Sequence, residues 1–359
     1  MSIHFHPLQV KEVRKETPEC VSVVFDIPEH LKQNFQFKQG QSLTIKTILN
    51  GEEVRRTYSI CSSPLDNEWR VAIKKVQGGI FSTFANDQLK KGDVLEVMSP
   101  VGKFYTELNP AHKKNYVAFA AGSGITPVLS LIKTTLSVEP LSTFTLVYGN
   151  RSRSSIIFFE ELEGLKNKYI GRFNLIHLLS RERTDAPINF GKLSVDKLME
   201  LDKLINYETV DEFFLCGPEE MIFCIKGFLE ARDIPKNKIH FELFTIPGEK
   251  RSVVKNEKTI DDKGPKSNIT IKLDGRSFDF GLSLASNATI LDAALQQGAD
   301  LPFACKGGVC CTCKAKLLEG QVEMDVHWGL EEDEVEKGYI LTCQSHPKSE
   351  RVVIDFDIK

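Results

Sequence analysis

Short runs of alternating apolar and polar residues fill the N-terminal part of the chain, as in "CVSVVFDI" (20–27) and "WRVAIKKV" (69–76). Because successive side chains of a strand point to opposite faces, this alternation predicts half-buried strands. Gly, Pro and Asn separate the runs, which is typical of tight turns. Residues 1–107 are therefore predicted to form an antiparallel β-barrel or a sandwich.

Residues 108–246 show a different pattern. Uninterrupted apolar runs such as "NYVAFAA" (115–121) alternate with stretches of helical period such as "PEEMIFCIKGFLEARD" (218–233). Strands that are apolar throughout are buried on both faces, and helices between them supply the crossover connections of a parallel sheet. This segment is predicted to be an α/β domain with a parallel sheet.

A charged stretch punctuated by Gly and Pro, residues 247–268, contains few large apolar side chains and is predicted to be a linker. Residues 269–359 then show two short strand patterns, a helix near 289–297, a cysteine-rich loop and a closing strand. Thr289, followed by Asp292 in the same turn, is a helix start signal. The C-terminal segment is predicted to be a compact α+β module.

Composition adds a location and a charge asymmetry. No apolar run is long enough to cross a membrane, and "MSIHFHPLQVKEVRK" lacks the pattern of a signal peptide, so we expect a cytoplasmic protein that binds no membrane. Residues 269–359 carry nine Lys and Arg against 15 Asp and Glu, a net charge of −6, in a chain whose net charge is −3. This acidic end argues against nucleic-acid binding and favours electrostatic steering between redox partners.

Four cysteines follow the spacing C-x4-C-x2-C with a distant fourth, which is the plant-type [2Fe–2S] pattern: Cys305, Cys310, Cys313 and Cys343. Each of two irons needs two thiolates, so the four side chains must converge on one small volume. Gly307 and Gly308 leave room for a cluster and let backbone N–H groups point at its sulfurs. The spacing therefore predicts a [2Fe–2S] site.

Two other uses of these cysteines have weaker support. A structural zinc site usually has two C-x2–4-C pairs, whereas the second half here is a single cysteine. Disulfides are rare in a reducing cytosol, and the chain has an odd number of cysteines, nine. Cys311 lies inside the loop but outside the pattern, and we interpret it as a small residue that fills the loop rather than as a ligand.

The C-terminal module resembles plant-type ferredoxins over its whole length. The resemblance is carried by "ILDAALQQGADLPFACKGGVCCTC" (290–313) and "GYILTCQSHP" (338–347). It implies a β-grasp-like fold whose cluster transfers one electron at a time and performs no substrate chemistry of its own.

The preceding part of the chain, roughly residues 5–245, resembles the ferredoxin–NADP reductase superfamily. The motifs that carry this resemblance are, in order, "RRTYSICS", "VAIKKVQGGIFSTF" and "AAGSGITP". It implies a flavin-binding barrel followed by a nucleotide domain. In the first motif Arg56 would bind a flavin phosphate, Tyr58 would stack on the isoalloxazine ring, and Ser59 would bond the polar edge of that ring.

The second motif would hold the remainder of the flavin. The resemblance implies that the residues from Lys74 to Val76 line the ring or its ribityl chain. Gly79, Ser82 and Thr83 would hold a pyrophosphate with a backbone turn and with hydroxyls at a helix start. A pyrophosphate site implies FAD, although some relatives bind FMN.

The segment "GSGITP" (122–127) follows an apolar strand and opens a helix. It is not the dinucleotide fingerprint, because a proline occupies the place of the third glycine, and by itself it fits a plain strand–helix turn equally well. Pro127 suits the first helical position, and Thr126 could cap the helix. The resemblance implies that Gly122 and Gly124 meet the nucleotide pyrophosphate and that Thr126 lies beside the nicotinamide.

Two later segments complete the predicted hydride site. "FLCGPEEM" predicts a strand end at Cys216 and Gly217, followed by a helix whose first turn is acidic. The resemblance implies that Cys216 lies next to the atoms that exchange hydride. In "ELF", Phe244 would shield the flavin face on which nicotinamide lands, and Glu242 would lie near the hydride path.

Two arginine-rich segments bear on the choice of nucleotide. "LLSRER" offers Ser180, Arg181 and Arg183 after a strand, and "YGNRSRSS" offers Arg151 and Arg153. The 2′-phosphate of NADPH is a dianion that needs cations, and no acid occupies the position where an NAD enzyme would bind the 2′-hydroxyl. We therefore expect NADPH rather than NADH, although solvated arginines after strands are common.

Together these motifs imply an NADPH-dependent flavoprotein that passes electrons to FAD, then to the [2Fe–2S] cluster and then to a partner. Several bacterial oxygenase reductases share this domain order. "YGNRSRSSIIFFEEL" and the ferredoxin end are most similar to reductase subunits of phenylacetyl-CoA epoxidase complexes, which implies a di-iron multisubunit oxygenase as partner. Other acceptors stay open, such as a ring-hydroxylating dioxygenase or a hybrid-cluster protein. The alternative of another class is a non-catalytic zinc or redox-sensing protein.

Overall fold

The computed structural model describes residues 4–244 and 264–358. His6–Val54 and Tyr58–Phe244 form one compact unit, and residues 264–358 belong to a second. The predicted linker, 247–268, lies mostly outside the described residues, and its last part already belongs to a strand that begins at Lys266. Among the described residues, no helix has both the length and the apolar character that a membrane crossing requires.

An antiparallel sheet occupies the N-terminal segment, as the alternation predicts. The strands described before residue 108 are β1 (Phe5–Thr17), β2 (Cys20–Asp26), β3 (Ser42–Leu49), β4 (Glu52–Ser59), β5 (Trp69–Lys74) and β6 (Val94–Met98). Their order across the sheet is β4-β3-β6-β1-β2-β5, and a bridge from Ile60 to Val71 joins the end of β4 to β5. The sheet therefore closes, which confirms the barrel over the sandwich, and buried Val, Ile, Leu and Phe side chains fill it. Helix α1 (Ile80–Asp87) follows β5.

A parallel sheet forms the core of the next segment, again as predicted. Its described strands are β7 (Asn115–Ala121), β8 (Thr143–Asn150), β9 (Phe173–Leu179), β10 (Glu212–Cys216) and β11 (Ile239–Glu242). The described helices around it are α2 (Ile125–Val138), α3 (Phe159–Lys168), α4 (Val195–Leu201) and α5 (Glu219–Glu230). The strand order is β11-β10-β7-β8-β9, so the chain leaves β7 in one direction and later returns to β10 on its other side. The carboxyl ends of β7 and β10 therefore flank a crevice of the kind that binds nucleotides.

Partly buried charges join the barrel to the nucleotide domain within this unit. Arg70 of β5 donates to one carboxylate oxygen of Glu161 on α3 at 2.7 Å, and Lys133 of α2 donates to the other at 2.8 Å. Burial raises the pKa of Glu161, but the two cations outweigh burial, and the pKa of this carboxyl is lowered overall. The charged cluster therefore joins β5 of the barrel to α2 and α3 of the nucleotide domain.

The second unit is the predicted α+β module. Its described strands are β12 (Lys266–Leu273), β13 (Arg276–Ser283), β14 (Lys314–Glu319), β15 (Val322–Met324), β16 (Tyr339–Leu341), β17 (Ser345–Pro347) and β18 (Arg351–Asp355), and its described helices are α6 (Ile290–Gln296) and α7 (Glu332–Glu336). The main sheet has the order β13-β12-β18-β14-β16, and β15 pairs with β17. Helix α6 begins as predicted, because the Thr289 hydroxyl accepts the backbone N–H of Asp292 at 3.2 Å. The cysteine loop connects α6 to β14.

Candidate electron-transfer sites

Three residues predicted for the hydride site lie together at the crevice. Ser59, at the end of β4, is buried, and its hydroxyl donates to Oε2 of Glu242 at 3.0 Å. Glu242 ends β11 and is in register with Cys216, the last residue of β10. Burial, together with the charge of Glu242, raises the pKa of Cys216 well above its ordinary value. The site therefore combines a protonated thiol with a carboxylate whose position is set by a hydroxyl.

The two other predicted residues of β4 differ in exposure. Tyr58 is half-buried, and its ring centroid lies 5.6 Å from that of Phe81 on α1, at an angle of 32°. The core therefore fixes the orientation of the tyrosine ring. Arg56 is exposed, and its guanidinium donates to the Arg55 carbonyl at 2.7 Å.

The loop after β5 forms a tight turn at the start of α1. The Gly79 N–H donates to the Val76 carbonyl at 2.9 Å, and the Thr83 N–H donates to the Gly79 carbonyl at 3.1 Å. The Ser82 hydroxyl accepts the Val76 N–H at 3.1 Å, so it holds the turn in shape. A Cβ added to Gly79 would lie 2.4 Å from the Ser82 oxygen. A larger residue at this position would displace the Ser82 hydroxyl from the turn.

The backbone at Gly78, next to Gly79 in this turn, has free space beside it. Gly78 has a φ of +74°, and a Cβ at this position would meet no described heavy atom within 4 Å. Lys74, the last residue of β5, extends its Nζ to 3.7 Å from where a Cβ of Gly122 would lie. Open glycine backbone at a helix start fits a pyrophosphate, whereas the Lys74 ammonium lies beside the Gly122 loop. These residues therefore suit the phosphates of a dinucleotide flavin.

After β7, helical backbone begins earlier than the sequence predicted. Residues 122–124 already form a 3₁₀ turn, and α2 begins at Ile125 with Gly124 as its cap. Among the described residues no side chain caps this helix, so the predicted capping by Thr126 is wrong, as is the placement of Pro127 at the first helical position. The Thr126 hydroxyl instead donates backward to the Ser123 carbonyl at 3.0 Å, as hydroxyls inside a first turn commonly do.

Close backbone approach explains both glycines of the crevice floor. A Cβ on Gly124 would lie 2.0 Å from the Cys216 carbonyl oxygen. A Cβ on Gly217 would lie 3.2 Å from the backbone nitrogen of Ala121. The loops that follow β7 and β10 therefore touch, and a larger residue is excluded at Gly124 and crowded at Gly217.

Sequence reasoning missed Tyr148 in this region. The tyrosine is fully buried in β8, and its hydroxyl donates to the Gly122 carbonyl at 2.8 Å. Burial raises the pKa of this phenol. Gly122 has a φ of +54°, so the bond holds a carbonyl in the part of the loop that glycine alone adopts easily. A tyrosine inside an apolar strand was the available signal, because a buried hydroxyl needs a partner.

The predicted phosphate-binding arginines meet at the ends of β8 and β9. The Arg181 N–H donates to the Arg151 carbonyl at 2.8 Å, and the Ser180 N–H donates to the Asn150 carbonyl at 2.9 Å. Arg151 and Arg181 are both exposed. A carboxylate lies in the same region, since Glu182 accepts the Arg153 N–H at 2.8 Å.

The two remaining arginines of these segments lie against aromatic rings. The Arg153 guanidinium lies 4.6 Å from the centre of Phe159, and the Arg183 guanidinium lies 5.2 Å from the centre of Phe190. Phe244, near the end of the described part of this unit, is 41% exposed.

The four predicted cluster cysteines form two pairs. The Cys305 thiol donates to the Cys310 sulfur and lowers the pKa of Cys310 to about 6. The Cys313 thiol donates to the Cys343 sulfur and lowers its pKa in the same way. Among the described residues, no group of three or more His, Cys, Asp or Glu side chains is arranged around a single ion. Two pairs of sulfurs are the donor set that two irons with two thiolates each require, so the residues fit a [2Fe–2S] cluster.

The glycines of this loop behave as predicted. The Gly307 N–H donates to the Cys305 sulfur at 3.3 Å, and the Gly308 N–H bonds the Cys343 sulfur and lowers the pKa of that thiol. Such bonds stabilise negative charge on ligand sulfurs. Cys311 belongs to neither pair, since its thiol donates to the Gly329 carbonyl.

Comparison with known families identifies three domains in the predicted order. An oxidoreductase FAD-binding domain matches residues 7–105, an oxidoreductase NAD-binding domain matches 119–227, and a 2Fe-2S iron-sulfur cluster binding domain matches 278–348. These matches confirm the flavin, nucleotide and cluster domains that the motifs predicted.

Two curated proteins are similar along nearly their whole length. A component of the 1,2-phenylacetyl-CoA epoxidase of Escherichia coli K12 is 44% identical over 99% of this chain and 98% of its own. The ferredoxin reductase component of 3-ketosteroid-9-alpha-monooxygenase from Rhodococcus rhodochrous is 33% identical over 97% and 96%. Among solved structures, phthalate dioxygenase reductase has the same fold, with a TM-score of 0.58, 23% identity and 98% coverage of both chains.

One of these curated relatives is part of an epoxidase and the other is the reductase part of a monooxygenase, and both match this chain from end to end. The match also explains why the described sites divide into a flavin barrel, a nucleotide crevice and a paired-cysteine loop. The chain therefore belongs to the family of FAD- and [2Fe–2S]-containing reductases that deliver electrons from a pyridine nucleotide to a separate oxygenase component.

Proposed function

We propose that this reductase takes electrons from NADPH and delivers them to the oxygenase component of a phenylacetyl-CoA epoxidase. The choice of partner is carried by the similarity to the epoxidase component of Escherichia coli, which extends over 99% of this chain. The resemblance also implies a di-iron multisubunit oxygenase. A cytoplasmic location is part of the proposal, because thiolate ligands and reduced nucleotides are maintained in a reducing compartment.

The cofactors would supply the redox chemistry when bound, namely hydride acceptance at FAD and one-electron transfer at the [2Fe–2S] cluster. The protein's own residues provide position and environment. Tyr58 would support the flavin ring, Arg56 its phosphate, and Lys74 through Val76 its ring or ribityl chain. The turn at Gly79, Ser82 and Thr83 would hold the pyrophosphate.

The Ser59–Glu242 hydrogen bond supports a hydride-transfer role for the crevice. The bond fixes both side chains beside Cys216, whose raised pKa keeps the thiol neutral at physiological pH. A neutral, buried thiol leaves room for a nicotinamide ring without placing a second negative charge there. Gly122, Gly124 and Gly217 would let the nucleotide approach the backbone, with Thr126 beside the nicotinamide. Phe244 would cover the flavin face until the nucleotide displaces it.

The preference for NADPH is supported by Arg151 and Arg181. The backbone bond between them places two exposed guanidinium groups at adjacent strand ends, and Ser180 adds a hydroxyl. A dianionic phosphate gains several charge-assisted bonds from such a set. The Glu182 carboxylate, which accepts the backbone N–H of Arg153, would weaken phosphate binding.

Anaerobic titration of the purified protein with NADPH and with NADH, followed by its visible spectrum, tests the nucleotide. We expect NADPH to reduce flavin and then cluster at the lower concentration. Replacing Arg151 and Arg181 together by Ala should raise the KM for NADPH about 30-fold and leave that for NADH nearly unchanged. Arg183→Ala is the matched control, because this guanidinium lies over Phe190. An equal response to both nucleotides in the wild type would refute the NADPH preference.

Reconstitution tests the partner. NADPH, this reductase, phenylacetyl-CoA and the purified epoxidase oxygenase component should give epoxide at a rate that saturates with oxygenase. The oxygenase components of a ring-hydroxylating dioxygenase and of 3-ketosteroid-9-alpha-monooxygenase serve as comparison acceptors. If either supports faster turnover than the epoxidase component does, the proposed partner is wrong.

A further inference from the structure

A tight turn next to the cysteine loop presents a large aromatic side chain. The Leu330 N–H donates to the His327 carbonyl at 2.9 Å, which places Trp328 and Gly329 at the tip of the turn. Trp328 is 40% exposed, whereas Leu330 beside it is buried in the core of the module. Tryptophan is enriched at protein interfaces because its ring system is largely apolar and also carries an N–H donor, so a half-exposed tryptophan at a turn tip is suited to contact another molecule.

The turn is bonded directly to the cluster loop. The Gly329 N–H donates to the Gly308 carbonyl at 2.8 Å, and the Gly329 carbonyl accepts the Cys311 thiol. A Cβ on Gly329 would lie 2.9 Å from the Cys311 sulfur, so no larger residue fits. The Gly308 N–H in turn bonds the sulfur of Cys343. A short bonded path therefore runs from the tip of the turn to a predicted cluster ligand.

Acidic residues surround the tryptophan along the chain. Glu331 and Glu332 are exposed and directly follow the turn, and exposed Asp325 precedes it. Two basic side chains of this region lie beside acids, because the His346 ring lies 3.1 Å from Asp325 and Lys337 lies 2.7 Å from Asp333. The surface around Trp328 is therefore an aromatic centre with a negative rim, on a module whose net charge is −6.

We infer that Trp328 is the anchor by which this reductase docks on its oxygenase partner, inserting into an apolar pocket with basic residues around it. The inference rests on the proposed function. Buried tryptophans dominate the binding energy of protein interfaces, and charged rims set the rate of encounter. Docking at this turn also brings the acceptor against the loop that holds the cluster, which shortens the distance of electron transfer.

Three variants test the inference in the full-length protein loaded with FAD and cluster. Trp328→Ala should raise the KM for the epoxidase oxygenase component about tenfold, and Trp328→Phe should raise it less. Reduction of the cluster by NADPH, measured by stopped flow, should stay at the wild-type rate, and the cluster spectrum should not change. Leu318→Ala is the matched control, since Leu318 is 44% exposed on β14 of the same module. It should leave the KM for oxygenase unchanged.

Charge gives a second readout. Glu331→Gln with Glu332→Gln should weaken the dependence of the wild-type KM on salt concentration, because two rim charges are lost. A KM within twofold of wild type in Trp328→Ala would overturn the inference. Slower reduction of the cluster by NADPH with an unchanged KM for oxygenase would overturn it too, since the tryptophan would then serve transfer inside the reductase. Failure of the proposed partner is a separate result, because wild-type protein would then support no epoxidation.

Discussion

Gly124 lies at the start of α2, where its backbone touches the end of β10. A Cβ at this position would lie 2.0 Å from the Cys216 carbonyl oxygen, and a carbonyl cannot rotate away as a side chain can. Gly124→Ala should therefore destabilise the unit by about 3 kcal/mol and lower its thermal midpoint by roughly 6–10 °C. The midpoint is measured from the rise in FAD fluorescence on release.

Gly164 is the matched control, and we expect its replacement by alanine to stabilise the unit. A Cβ on Gly164, inside α3, would meet no described atom within 4 Å. Gly164→Ala should raise the midpoint slightly, because alanine is favoured over glycine in a helix by about 1 kcal/mol. Similar shifts for both variants would contradict the role of close approach at Gly124.

Two variants of Glu242 test whether its hydrogen bond to Ser59 or its negative charge is required for reduction of the flavin. Glu242→Ala removes the acceptor of the Ser59 hydroxyl and should slow reduction of the flavin by NADPH about tenfold, because hydride transfer depends on alignment. Glu242→Gln retains an oxygen that can accept the same bond, so it should keep most of the wild-type rate. Single-turnover stopped flow at saturating NADPH measures both. A glutamine variant as slow as the alanine variant would mean that the charge, not the bond, is required.

The starts of α6 and α2 show when a helix boundary can be predicted from sequence. Thr289 caps α6 as predicted, because a cap depends on residues within one turn. Thr126 was predicted to cap α2 by the same local rule, but helical backbone there begins earlier, at the glycine turn. The contact of Gly124 with the Cys216 carbonyl fixes that turn, and no local pattern reports a partner so far along the chain.

The cysteine loop was predictable because its information is concentrated in spacing, and it yields a sharp test. Cys311→Ser should keep the cluster, since a serine hydroxyl can donate to the Gly329 carbonyl as the thiol does. Cys305→Ser and Cys343→Ser each remove one sulfur from a pair and should lose most of the iron. Iron per chain and the visible spectrum of protein purified without oxygen measure the loss. Comparable iron loss in Cys311→Ser would make that residue a ligand.

Across the full chain, domain order was predictable and domain contacts were not. Alternation, apolar runs and cysteine spacing are local, so they defined the barrel, the parallel sheet and the α+β module. Ser59 and Glu242 lie 183 positions apart, and their bond depends on how the barrel meets the nucleotide domain. That arrangement is held by Arg70, Lys133 and Glu161, whose pairing no periodicity in the sequence indicates.

Buried thiols make the stability of the flavin and nucleotide unit depend on alkaline pH. Burial raises the pKa of Cys20 and of Cys61 to about 12, against an ordinary value of 9.0. Below pH 9 both states keep these protons and stability is unaffected. Between pH 9 and 12 the unfolded chain loses them while the folded chain keeps them, so the free energy of unfolding falls as pH rises. Two thiols give a slope of about 2.7 kcal/mol per pH unit at most.

Urea unfolding between pH 7.5 and 10.5 measures this slope. Trp328→Phe leaves Trp69 as the one tryptophan of the sequence, and Trp69 reports on the barrel because its indole donates to the Phe35 carbonyl at 2.6 Å. Replacing Cys20 and Cys61 by Ala in that background should lower stability at pH 7.5 through lost packing, yet flatten the decline above pH 9. If the decline is equally steep without the two thiols, it arises from other groups, and burial of Cys20 and Cys61 does not limit the alkaline stability of the protein.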